Sequence, residues 1–368
     1  VVAAYPITPQ TSIVEALARF IADGQMRAEF IKVESEHSAM TACLGACAAG
    51  SRAFTASSSQ GLEFMHEMLA YVSGGRFPLV MVAVNRSTAL PWSIWGDQQD
   101  TIQQRDTGWM QVYVESAQEA LDMVLQAYRI AEDYRVLCPV MVCCDGFILS
   151  HAEEVVEIPD QALADEFLPR FRPYVSLDVD NPKTLAVGGF GPVYAGWKRQ
   201  QQEAMMGARR VILEVADGFA AVFDRHHDGM VAPYRCEDAE AAIVCMGGIS
   251  GTVREVVDEM RDEGRKVGFL RVRFFRPFPQ EDVRAALAGA GAIAVIDRDC
   301  SYGFQGALCS DLKAALYGVS NAPVINFIAG LGGSDVRPED IREMLEKTLA
   351  AASTGKAEKE IEFVGAAE

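Results

Sequence analysis

Apolar and polar positions along this chain fall into blocks. Six nearly continuous apolar runs, VVAAY (1–5), AEFIKVE (28–34), RAFTAS (52–57), LVMVAV (79–84), MQVYVE (110–115) and PVMVCCD (139–145), predict six strands buried on both faces of a sheet. Between them apolar residues recur at helical spacing. Ile13, Leu17, Phe20 and Ile21 form such a stripe, and Ser12 with Glu15 three positions on has the pattern of a capping box. Ser116 and Glu119 repeat that device before ALDMVLQAYRIAEDY. Strands alternating with helices of this length predict a parallel sheet covered on both faces.

A second α/β series starts near Ala241. AAIVCMGG, VGFLRVRFF, AIAVIDRD and APVINFI are its predicted strands, and helical patterns such as TVREVVDEMRDEG and PEDIREMLEKTLAAA alternate with them. This is a second, smaller doubly wound domain. The expected division is a first α/β domain over 1–152, a linker and long helix over 153–235, a second domain over 236–352 and a C-terminal tail over 353–368. The linker is rich in Pro and Asp, and its helix is expected from Trp197 to Phe223. The polar tail is expected to reach a partner subunit.

Composition narrows the function classes. With 368 residues, 50% hydrophobic and 23% charged, the chain is globular and long enough for more than one core. A net charge of −18 without any clustered Lys and Arg argues against nucleic acid. The nine cysteines have no regular spacing and sit mostly in apolar runs, as reduced cytoplasmic thiols do. No Cys-x-x-Cys occurs, so no iron–sulfur cluster or zinc is expected on this chain. No signal peptide is evident, and no apolar run approaches the roughly 20 residues of a membrane span. Val1 opens inside a predicted strand, so further residues are expected before it.

Several motifs carry little chemistry. GGFGPVYAG (188–196) has Tyr194 where a dinucleotide fingerprint needs its third glycine. MGGISGT (246–252) is either a tight structural turn or an anion site at a helix N-terminus. His226-His227-Asp228 lacks further ligands nearby in sequence, and no metal site is expected. The densest region is Val33 to Asn85. Glu34 and Glu36 stand at the C-terminal end of a predicted parallel strand, where open α/β sheets bind ligands. Read alone, either Glu also suits the positive end of the next helix.

Several segments together resemble domain I of the pyruvate:ferredoxin oxidoreductases, within the wider 2-oxoacid:acceptor oxidoreductase family. They are YPITP (5–9), ESEHSAMTACLGACAAGSRAFTASSSQG (34–61), NRS (85–87), GDQQD (96–100), QRDTGW (104–109) and CDGFILSH (144–151). The stretch from Tyr234 to Pro279 resembles the family's domain II, a transketolase C-terminal-like module. The likeness is collinear over almost the whole chain. It implies a pyrimidine-type domain of the thiamine diphosphate enzymes followed by that module, in a PorA-type α subunit.

What the resemblance implies for the residues is specific. Thiamine diphosphate is a carbanion sink whose own aminopyrimidine takes the thiazolium proton, helped by a glutamate on the pyrimidine. Glu36 matches that glutamate. Arg86 matches the substrate-binding arginine, whose guanidinium can hold a 2-oxoacid carboxylate with two hydrogen bonds. Thr8 matches a threonine that contacts substrate, its direction fixed by the flanking prolines. The polar strand-to-helix turn TASSSQG (55–61), with Ser59 and Gln60, either faces the cofactor or simply caps the next helix. The loop from Leu90 to Asp106 resembles the one over the active site, with Trp92, Trp95, Asp97 and Gln98 facing substrate. Pyruvate-type relatives carry smaller residues or Phe in that loop and often His after the Asp, and Ser where this chain has Gln10. The two tryptophans either accept a bulky 2-oxoacid such as phenylglyoxylate or narrow the pocket to a methyl group.

No Gly-Asp-Gly with a downstream Asn-Asn occurs. The resemblance therefore assigns Mg2+ and the diphosphate to a β subunit. Iron–sulfur clusters fall to further γ-type subunits, and electrons to ferredoxin or an NAD-reducing module. The implied reaction converts a 2-oxoacid, pyruvate by default, with CoA and oxidised acceptor to acyl-CoA, CO2 and reduced acceptor. The rivals are a phenylglyoxylate dehydrogenase α subunit, a non-catalytic structural subunit, and a transketolase-type enzyme without redox partners.

Overall fold

Short runs of Val, Ala, Ile and Met become strands, and the helices between them cover both faces. The structure, a computed structural model, describes residues 1–367 other than 186. Among the described residues the strands are β1 (Val2–Ala4), β2 (Phe30–Lys32), β3 (Phe54–Ser57), β4 (Val80–Asn85), β5 (Met110–Tyr113), β6 (Val140–Asp145), β7 (Val231–Tyr234), β8 (Ala241–Cys245), β9 (Val267–Val272), β10 (Phe274–Arg276), β11 (Ala292–Asp297), β12 (Val324–Ala329) and β13 (Ile361–Val364).

The first sheet has the order β10-β5-β6-β4-β3-β1-β2. The pairs from β5 to β2 are parallel, and β4 meets β6 in register from Val80 opposite Val140 to Asn85 opposite Asp145. All six residues of each of these central strands are buried. Edge strand β2 departs from the expected two-sided burial, because it has one neighbour and leaves Ile31 exposed.

The second sheet has the order β13-β12-β11-β8-β9-β7, parallel except where β7 runs antiparallel to β9. The run VGFLRVRFF, read as one strand, is divided between the two sheets. Val267–Val272 pairs with β8, whereas β10 crosses over and pairs antiparallel with β5. The hinge is Arg273, whose buried guanidinium is drawn to Glu119 across the seam, with Nε at 2.8 Å. One apolar core runs through that seam, from Met141 and Tyr113 to Phe275, Leu270 and Leu312.

Other differences are local. The first helix spans Thr11–Ala22, so Ser12 lies inside it, and Gln10 at the cap position has helical backbone angles. Ser116 does cap its helix, accepting from the Glu119 amide at 3.1 Å. The Glu119 carboxylate, however, turns to the Glu115 amide and to two arginines rather than closing a capping box. The long helix starts earlier than expected, at Pro192, whose fixed φ suits a first turn, and runs to Phe223. The tail contributes β13 in parallel beside β12, where Ile361 and Phe363 extend the sheet. Among the described residues, no helix is long and apolar enough to cross a membrane.

Candidate active site

The C-terminal ends of β1, β3 and β4 lie side by side in the first sheet, and the turns leaving them hold most of the candidate residues. After β1, the Pro6–Pro9 turn is braced from within. Gln10, fully buried, donates from Nε2 to the Tyr5 carbonyl at 2.8 Å and from its amide to the Ile7 carbonyl at 3.0 Å. Thr8 offers its backbone first: its carbonyl accepts from Arg86 Nη1 at 2.7 Å. The residue is exposed, and its hydroxyl has no protein partner among the described residues.

Glu36 opens the helix Glu36–Ala48, next to the cap residue Ser35, whose Oγ accepts from the Ser38 amide. It is buried, and among the described residues its carboxylate has no protein hydrogen bond. Its side chain is packed in while its oxygens stay reachable from the site, where an entering donor can bind them. Gly61 makes the space it occupies. A Cβ there would strike Ser57 Oγ and come within 2.9 Å of both Glu36 Cγ and Oε1. Glu34, by contrast, is an exposed carboxylate held below its usual range by the Ser38 hydroxyl.

Between β3 and the helix Gln60–Phe64, Ser59 takes φ 50 and ψ −127, a conformation that favours glycine. Its hydroxyl donates to the Ser87 carbonyl at 2.5 Å and contacts Gln60 Oε1 at 2.7 Å. Gln60 Oε1 also accepts from Arg86 Nη2 at 2.7 Å, which fixes the amide's orientation and points Nε2 at no protein acceptor. Arg86 Nε, Ser57 Oγ and Ser58 Oγ are likewise buried without partners. Burial lowers the Arg86 pKa, while the nearby charges of Asp100 and then Glu36 raise it again.

Under this surface lies Asp100, a residue to which sequence reading assigned no role. It is fully buried and receives four N–H donors, from Ser59, Arg86, Thr101 and Asn85. Burial pushes its carboxyl up to about 7, against the pull of those hydrogen bonds. Its position at the end of GDQQD was the available signal.

The substrate loop is tied to Ser87 and to the second domain. Asp97 accepts from Ser87 Oγ at 2.6 Å and from the Gly332 amide at 3.0 Å, joining the loop to the second domain, and burial raises its pKa. Gln98 donates from its amide to the Arg298 carbonyl at 2.8 Å and from Nε2 to Asp145 at 3.2 Å. It therefore lies at the seam between the two domains. Trp92 is 65% exposed and Trp95 52%. Trp95 leans on Phe147, with centroids 4.6 Å apart, at the edge of an interdomain hollow of about 300 Å³.

The turn of MGGISGT does receive an anion, and the protein supplies it. Asp145 Oδ2 accepts from the Gly248 amide at 2.5 Å, while its Oδ1 accepts from Arg298 Nη1 at 2.5 Å. At Gly247, with φ +75, a Cβ would strike that same carboxylate. His227 is spent on Asp122, at 2.9 Å beside the bidentate Arg225.

Known proteins match this chain over nearly its whole length. A family model described as pyruvate flavodoxin/ferredoxin oxidoreductase, thiamine diphosphate-binding, matches residues 1–217, and one described as pyruvate:ferredoxin oxidoreductase core domain II matches 239–341. Pyruvate synthase subunit PorA of Methanothermobacter thermautotrophicus is 50% identical over 348 residues, covering 95% of this chain and 90% of that protein. Ketoisovalerate oxidoreductase subunit VorA of Pyrococcus horikoshii is 47% identical over 367 residues, covering 99% and 92%. Among solved structures, a 2-oxoglutarate:ferredoxin oxidoreductase from Magnetococcus marinus has the same fold, with a TM-score of 0.67 at 20% identity over 95% of this chain and 62% of that longer one. A split-gene transketolase described as an inactive β4 tetramer aligns at a TM-score of 0.56 and 12% identity, over 95% of this chain and 91% of that one.

Proposed function

This chain belongs to the pyruvate:ferredoxin oxidoreductase family as a PorA-type α subunit, and from that premise we propose that it supplies one wall of a shared active site. That site converts a 2-oxoacid, with CoA and an oxidised acceptor, to acyl-CoA, CO2 and the reduced acceptor. The observation that carries this reading is Glu36, a side chain only 8% exposed whose carboxylate has no protein hydrogen bond among the described residues, near Arg86 and the unpartnered Ser57 Oγ, Ser58 Oγ and Gln60 Nε2. Such a shell fits the pyrimidine half of thiamine diphosphate. When bound, that cofactor supplies an electron sink at the carbon that loses CO2.

The chain's own residues have distinct tasks. Glu36 would hold the pyrimidine nitrogen by a hydrogen bond from its otherwise unpartnered carboxylate. Arg86 receives the substrate carboxylate. Its Nη1 and Nη2 are held by Thr8 and Gln60, which leaves the charged Nε–H without a protein partner for that carboxylate. Thr8 and the turn braced by Gln10 close the side of the site next to Arg86. Ser59 and Gln60 line the cofactor side.

The diphosphate and its Mg2+ belong to a β subunit, because this chain carries no segment of the type that holds them. Iron–sulfur clusters on further subunits take the electrons and pass them to ferredoxin or an NAD-reducing module. The nine free buried thiols suit a reducing cytoplasm.

Pyruvate is the default substrate. The PorA and VorA relatives are of similar identity, so a branched 2-oxoacid is the nearest alternative. The deciding measurement is viologen reduction by the co-purified complex with CoA and each of pyruvate, ketoisovalerate, 2-oxoglutarate and phenylglyoxylate. Highest kcat/KM with pyruvate is expected. Turnover with phenylglyoxylate alone would overturn the default, and no CoA-dependent turnover with any of them would overturn the reaction.

A further inference from the structure

The parallel ladder between β3 and β4 ends where Ser57 faces Ala83. Ser59 and Arg86 both lie beyond that last pair, so no strand hydrogen bond holds their backbones together. Asp100 does so instead. One carboxylate oxygen accepts from the Ser59 amide at 2.9 Å and from the Arg86 amide at 3.0 Å. The other accepts from the Thr101 amide at 2.7 Å and from Asn85 Nδ2 at 2.8 Å. Four donors on two oxygens saturate an ionised carboxylate. The unit is braced further by Asn85 on Thr101 Oγ1 at 2.7 Å, and by Thr101 Oγ1 on the Tyr113 hydroxyl at 2.8 Å.

We propose that Asp100 is a positioning residue for the 2-oxoacid site. It locks the turn at Ser59 to the backbone of Arg86, so that the unpartnered Nε of Arg86 and the unpartnered Nε2 of Gln60 are carried by one rigid unit. The proposal rests on the reading of Arg86 as the partner of the substrate carboxylate. Two features require such a clamp. Ser59 at φ 50 has no glycine's freedom and persists only where its surroundings over-determine it. Arg86 spends Nη1 and Nη2 on Thr8 and Gln60, so a small shift of its backbone would realign every contact of its guanidinium. Asp100 itself contacts neither substrate nor cofactor in this arrangement and acts through these two backbones.

The test is a double-mutant cycle of Asp100→Asn and Arg86→Gln in the co-purified complex, read as KM and kcat for the 2-oxoacid. Asparagine keeps the volume but sets an N–H2 group against two of the four donors. In the native background D100N is expected to raise KM about tenfold or more, with kcat falling less than KM rises. In the R86Q background its effect on KM is expected to fall below about twofold, because groups that act as one unit are non-additive. An equal effect of D100N in both backgrounds, or none in either, would overturn the positioning role while leaving Arg86 in place. R86Q without an effect on KM would sink the Arg86 reading and the proposal with it. If D100N does not assemble, the combination with Ser59→Gly, which accepts φ 50 without the clamp, carries the same comparison. Failure of that variant to assemble would assign Asp100 to folding and overturn the proposal.

Discussion

Arg271 and Glu119 are 152 residues apart in sequence and 2.5 Å apart in space, Nη2 to Oε2, both almost fully buried. Arg273 reaches the other carboxylate oxygen, with Nε at 2.8 Å, and Glu115 adds its amide at 2.8 Å. This cluster pins the helix Ala117–Ala131 of the first domain to the strand that leads out of the second.

Removing one member leaves buried charge without compensation. Glu119→Gln is expected to destabilise the chain by about 3–5 kcal/mol, the usual cost of breaking a buried ion pair from one side. Denaturant unfolding of native and variant complexes measures it. A change under about 1 kcal/mol would mean that water reaches the arginines.

The same group sets an acid limit. Burial raises the Glu119 carboxyl, but Arg271 and Arg273 outweigh it and hold it at about 2, below the ordinary 4.5. A depressed folded value means that the stabilisation is complete above about 4.5 and is lost as pH falls from there through about 2. Unfolding free energy followed between those values should fall more steeply for the native protein than for Glu119→Gln. Parallel curves would contradict it.

Glu36→Gln should leave assembly and melting temperature unchanged while turnover drops by about a hundredfold or more, the scale of losing one preorganised electrostatic group. Gel filtration with a viologen assay separates the two effects. Turnover within about twofold of native would remove Glu36 from the site.

Gly61→Ala adds one methyl against Ser57 Oγ and the Glu36 side chain, within 2.9 Å of the carboxylate oxygen. Thiamine diphosphate affinity is expected to fall about tenfold as Glu36 is pushed aside, since about 1.4 kcal/mol corresponds to that factor. Calorimetric titration of the complex reads it. Thermal stability should fall as well, by the about 1–3 kcal/mol that overpacking a closed site costs, offset in part by alanine's better helix propensity.

The apolar runs that become β4 and β6 are legible because a strand buried on both faces has no polar face to show. Edge strand β2 also sits in a largely apolar run and is half exposed, since a run's apolar content does not say how many neighbours the strand has. Glu119 has the spacing of a capping residue, and only the arrival of Arg271 and Arg273 from far along the chain changes its role. Local pattern does not register contacts made over such separations. Glu36, Arg86 and Thr8 were singled out through likeness to a family, and the structure puts Thr8 and Arg86 in direct contact. Asp100 and Gly61 went unassigned because one works through backbone amides and the other through the absence of a side chain. The contacts of Gln98 with Arg298 and Asp145 at the seam lie too far away in sequence to be read from it.

The passage of one uninterrupted segment, Val267 to Arg276, from the second sheet into the first also limits how the chain can be cut. Severed near residue 236, the first piece would lose the strand that covers β5 and present a bare row of amides and carbonyls, the kind of edge that recruits other chains into aggregates. The second piece would carry Arg271 and Arg273 without the carboxylate that neutralises them. The two lobes are therefore best expressed, purified and inherited as one indivisible piece.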